Sequence, residues 1–152
     1  MLPAEAIRTI VLVAVALVAM VGWLSVRALR LPANDPNRLV NELRLAQFAA
    51  LVLAFVAAGY VGLAAAMPTV PGSGLDAALA LGFVIVAGFA PLRDPREALT
   101  ILALAFVGHA LLDTLHRPGW LADGLVPLWY AVGCAVLNVV IGALCYLPLL
   151  RR

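Results

Sequence analysis

The segment Gly108-His109-Ala110-Leu111-Leu112-Asp113-Thr114-Leu115-His116 places two imidazoles and a carboxylate inside an otherwise apolar stretch. Ionisable groups in the hydrocarbon region are costly, so an intramembrane His or Asp marks a candidate functional site. The three residues fall at i, i+4 and i+7, which on a helix confines them to an arc of about 60°. Imidazole and carboxylate together suit zinc, iron, copper or manganese. The same groups can also move protons.

A straight helix separates the outer two residues by about 10 Å. One ion therefore cannot readily be shared by His109 and His116. An adjacent pair, His109 with Asp113 or Asp113 with His116, is the expected half of a metal or haem site, with another helix completing it. Cys134 is the expected partner on the last helix, at roughly the depth of His109. Asn138 lies one turn deeper, and Asp123 in the preceding loop is a further oxygen donor. A zinc-bound water there could attack an ester or amide of a lipid-like substrate, with Asp113 or His109 as general base. A catalytic zinc wants three protein ligands; since only an adjacent pair among His109, Asp113 and His116 can reach one ion, Cys134 must supply the third and the set is lean. The bland alternative is a polar clamp in which Asp113 holds one imidazole and Asn138 bonds a neighbouring carbonyl.

The elements that must carry these residues follow from composition. The chain has 152 residues, 65% of them hydrophobic and 12% charged, and its mean hydropathy is +1.08. A soluble domain carries about twice that charge. The expectation is one all-α domain, a polytopic transmembrane bundle embedded in a lipid bilayer. Five apolar segments are read: about Ile7 to Val26, Leu45 to Ala66, Leu75 to Pro91, Ala98 to Leu115 and Val126 to Leu150. Each is close to the ~20 residues that cross the hydrocarbon core. The first has no Ala-x-Ala site after it, only Arg27 and Arg30, as expected for a retained anchor rather than a signal peptide.

Asp35-Pro36 and Asp94-Pro95 read as helix starts, each an N-cap acceptor followed by proline at the first helical position. On the second segment Ala50, Ala54, Ala58, Gly62 and Ala66 recur every four residues. This small-residue stripe suits close helix packing, within the bundle before a dimer seam.

All ten basic residues are arginine. Eight of them (Arg27, Arg30, Arg38, Arg44, Arg93, Arg96, Arg151 and Arg152) fall on one side of this topology, against Arg8 and Arg117 on the other. The positive-inside bias predicts an outside N-terminus and a cytoplasmic C-terminus. Trp120, Trp129 and Tyr130 then lie at the outer interface, and the His/Asp cluster opens outward. The net charge of +2 is too small to suggest nucleic acid. Without lysine there is neither a Schiff base nor a P-loop. Cys134 and Cys145 stand about 16 Å apart on one helix, too far for a disulfide.

The run Gly108-His109-x-x-x-Asp113-x-x-His116, followed by Pro127, Cys134 and Asn138, resembles an uncharacterised family of small bacterial integral membrane proteins. The resemblance covers about the last third of the chain. In that family's pattern a second His follows the last one and an acid stands at the Asn138 position; here Arg117 and Asn138 occupy those places. The pattern is also similar to that of intramembrane metal hydrolases, which carry more His. The resemblance names no reaction. Beside a metal or haem protein with hydrolase chemistry, two other functions fit the residues: an accessory subunit or homo-oligomer in a larger membrane complex, and a small proton- or metal-linked transporter.

Overall fold

In the computed structural model, which describes residues 4–32, 34–116, 121 and 124–151, the chain is a bundle of five helices. They are α1 (Ala4–Arg30), α2 (Pro36–Ala66), α3 (Ser73–Phe89), α4 (Pro95–Leu115) and α5 (Leu128–Tyr146). Helix α3 runs on into a 3₁₀ turn at Ala90–Leu92 and α5 into another at Leu147–Leu150. All five are long and apolar enough to cross a membrane. Arg117, Trp120 and Asp123 lie outside the described residues.

Helix α2 begins nine residues before the apolar run that marks it in the sequence. Asp35 caps it, its carboxylate accepting from the Asn37 amide at 2.8 Å, with Pro36 at the first position. The Asp94 cap is a correction. Its side chain makes no cap bond, and its carbonyl alone accepts from Ala98 at 2.8 Å. The expected Pro95 start nevertheless holds.

The polar first turns of α2 are possible because their charges cancel. Arg38 and Glu42 are both buried and paired at 3.0 Å. The Arg38 guanidinium also donates to the carbonyls of Pro148 at 3.1 Å and Arg151 at 2.6 Å. It thereby ties the C-terminal turn to α2.

The core lies between α1, α2, α4 and α5, where Leu45, Leu53, Leu99, Leu102, Phe106 and Ile141 are fully buried. Helices α4 and α5 come into close contact at Gly142. A Cβ there would stand 3.2 Å from the Ala103 carbonyl oxygen and 3.3 Å from the Phe106 Cβ. A small residue at such a crossing lets two membrane helices approach backbone to backbone. Gly142→Val is expected to wedge the pair apart and cost about 1–3 kcal/mol, read as a lower melting temperature in detergent.

The small-residue stripe does not pack inside the bundle along its length. Ala50 is buried and Ala54 partly so, but Ala58, Gly62 and Ala66 are exposed. The internal contacts of α2 are made by Ala46, Ala49, Ala57 and Ala64 instead. A stripe at every fourth residue drifts by about 40° per step, and over four steps it leaves the buried face.

Helix α1 is held mainly by its second half. Its buried residues are Val21, Leu24, Ser25 and Ala28, and the Ser25 hydroxyl donates to the Leu144 carbonyl at 2.7 Å. Beside its first half an apolar groove of about 530 Å³ separates it from α2 and α5.

Candidate functional site

The polar residues gather at one end of the bundle, where α2 and α4 finish and α3 and α5 begin. Asp113 stands two residues before the end of α4 and Asp76 in the first turn of α3. Asn138 is ten residues into α5, about 15 Å from its start. The Arg38–Glu42 pair lies at the opposite end, at the start of α2.

Asp113 is the centre of the cluster. Its Oδ1 accepts from the Tyr60 hydroxyl at 2.6 Å. Its Oδ2 accepts from the Asn138 amide at 2.8 Å. The same amide nitrogen stands 3.0 Å from His109 Nδ1, and His109 Nδ1 is 3.5 Å from Asp113 Oδ1. Tyr60, His109, Asp113 and Asn138 are all buried. Inside a membrane such a carboxylate is tolerable only with partners of this kind. Asn138 Oδ1 is also buried and has no partner.

His116 turns away from this group. It sits just past the last residue of α4. Its Nδ1 stands 3.0 Å from the Leu112 carbonyl. A carbonyl only accepts, so Nδ1 carries a proton. Its Nε2 stands 3.2 Å from Asp76 Oδ1. Asp76 Oδ2 is buried and unpartnered.

The Tyr60 ring stands between the two imidazoles, with ring centroids 5.5 Å from His109 and 5.2 Å from His116. Phe83 closes the far side of His109, centroid to centroid 4.8 Å. A cavity of about 10 Å³ lies among Tyr60, Asp76, Phe83, His109, Asp113 and His116. That is room for about one water.

Of the residues singled out in the sequence, His109, Asp113 and Asn138 meet. His116 faces the same small cavity but takes its partner from α3. Cys134 is elsewhere: with Gly59 and Tyr130 it lines the apolar groove beside α1. Among the described residues no three His, Cys, Asp or Glu side chains stand where they could hold one ion. The expected ligand set of His109, Asp113, His116 and Cys134 is therefore not assembled.

Two site residues escape the sequence reading. Tyr60 sits in an unbroken apolar span, and its polar tip was the only signal. Asp76 reads as an ordinary acid in a helix's first turn, where the dipole favours it. No protein-family model, no curated protein and no solved structure matches this chain.

Proposed function

We propose that this integral membrane protein takes up and releases protons at the Tyr60–Asp113–Asn138–His109 cluster, the chemistry of a small proton-linked transporter. One observation carries the reading. A buried carboxylate with both oxygens bonded is joined through one amide to an imidazole, and a second carboxylate–imidazole pair, Asp76–His116, lies across a water-sized cavity. Intramembrane Asp and His chains of this kind are the usual parts of proton relays.

The packing supports binding at one face rather than a continuous pore. Beyond Asn138 lie Leu53, Leu99, Leu102, Phe106 and Ile141, all fully buried. The arginine bias supports an N-terminus outside and a C-terminus in the cytoplasm, so that the cluster opens outward, and the resemblance to small bacterial membrane proteins supports a bacterial inner membrane.

The test is proton counting on protein in lipid nanodiscs after a pH jump, with a soluble indicator dye. Asp113→Asn keeps the shape of the side chain and removes its titration. It is expected to take up about one proton fewer per chain than the wild type. Equal uptake by the two proteins would refute the reading.

A further inference from the structure

We infer that Asn138 is a positioning residue that works as a two-way amide switch, tying the protonation of Asp113 to the tautomer of His109. The inference rests on the proton-binding reading above and goes further, because it assigns how a proton is handed on.

His109 Nδ1 and Asp113 Oδ2 meet the same atom of the Asn138 amide, at 3.0 Å and 2.8 Å. An amide nitrogen only donates and an amide oxygen only accepts. The two partners must therefore play the same role at the same time. With the nitrogen toward them, both accept: Asp113 is a carboxylate, Nδ1 is bare, and the His109 proton sits on Nε2. With the amide turned over, both donate: Asp113 carries a proton and so does Nδ1. One acceptor beside one donor leaves a bond unmade whichever way the amide faces.

The amide's other end holds no bond to break. Asn138 Oδ1 is buried with no partner; the turn puts the two amide N–H donors in its place, a cost that the new bonds from Asp113 and Nδ1 must offset. Turned, the oxygen accepts from both neighbours with its two lone pairs. The Tyr60 hydroxyl stays bonded to Asp113 Oδ1 in both arrangements.

The protons balance as follows. One proton enters on Asp113. One arrives at His109 Nδ1 while one leaves from Nε2, so the ring stays neutral and its proton changes side. The net uptake is a single proton, and the departing Nε2 proton goes to solvent or to the next acceptor. A neutral ring avoids placing an imidazolium in a buried, apolar surround. The other titratable groups facing the pair are Tyr60 from α2, Asp76 from α3 and His116 from α4, while Cys134 and Tyr130 of α5 lie toward the groove. None of them bonds the amide.

The test is solid-state NMR of the full chain in lipid vesicles with labelled His and Asp, titrated with pH. In the wild type, protonation of the Asp113 carboxyl and the move of the His109 proton from Nε2 to Nδ1 are expected at one common midpoint. In Asn138→Leu, which has no amide, the Asp113 carboxyl still titrates. Its midpoint and any change at His109 then separate by about one pH unit or more. Three results overturn the switch: a His109 tautomer that stays fixed while wild-type Asp113 titrates, a His109 that becomes doubly protonated in step with Asp113, or unchanged coupling in Asn138→Leu. The wild-type titration decides the matter even if that variant does not fold. An Asp113 that stays ionised throughout overturns the proton-binding reading itself, a result distinct from the other three.

Discussion

Glu42→Ala is expected to destabilise the protein by about 3–5 kcal/mol. The substitution leaves the Arg38 guanidinium buried without its counter-charge, and removing one partner of a buried pair costs more than the pair itself contributes. The carbonyls of Pro148 and Arg151 still accept from it, but they carry no full charge. The loss should show first at the C-terminal turn, as faster amide exchange at Leu147, Leu149, Leu150 and Arg151. Replacing both partners together, Arg38→Met with Glu42→Leu, is expected to cost much less, because no orphan charge remains. A double variant as unstable as the single one would mean that the pair is needed for its bonds to the C-terminal turn and not for charge balance. Melting temperatures in one detergent separate the two.

The second large effect is at Asp113, where two substitutions part company. Asp113→Ala strips the Tyr60 hydroxyl of its partner and the Asn138 amide of one of its two, leaving it only His109, in a buried site. Each buried group left unpaired costs about 1–3 kcal/mol, and bonds between membrane helices average towards the lower end. A loss of about 2–4 kcal/mol is expected. Asp113→Asn keeps one oxygen for the Tyr60 hydroxyl and should cost about 1 kcal/mol or less, while abolishing proton uptake at the site. Tyr60→Phe removes one bond and keeps the ring between the imidazoles, so about 1 kcal/mol is expected. Stability and proton uptake thus vary independently across the three variants, and thermal melting beside proton counting reads both.

The architecture was legible because a bilayer leaves the backbone few choices. Five apolar runs with few charges become five helices, since lipid offers no partner for an unpaired backbone group. Boundaries were harder to read. Hydropathy begins the second run at Leu45, yet the helix begins at Pro36, because Arg38 and Glu42 neutralise each other inside the bundle. A pair of opposite charges one turn apart reads in sequence as the edge of a span; in the fold it is the anchor of one.

The site was half legible. Spacing alone placed His109 and Asp113 on one face, and they do share one. It also placed His116 there, but that residue lies past the last turn, where helical geometry no longer fixes its direction. Its partner is on α3, and Asp76 carries no mark that distinguishes it from a helix-start acid. Depth arithmetic put Cys134 level with His109, while the contact is made by Asn138. Residues four apart are offset by about 40° around a helix, enough to swing Cys134 towards the α1 groove while Asn138 faces α4. Which side chain of one helix meets which of another depends on tilt and on close crossings such as Gly142, and single-chain periodicity contains neither.

The account stands or falls on whether Asp113 changes protonation within the folded protein. Infrared difference spectroscopy of the chain in lipid, recorded across a pH titration, observes this directly. A protonated-carboxyl band is predicted to grow on acidification, to be missing in Asp113→Asn and to persist in Asp76→Asn. A band that is unchanged in Asp113→Asn, or no carboxyl change at all in the wild type, would contradict it.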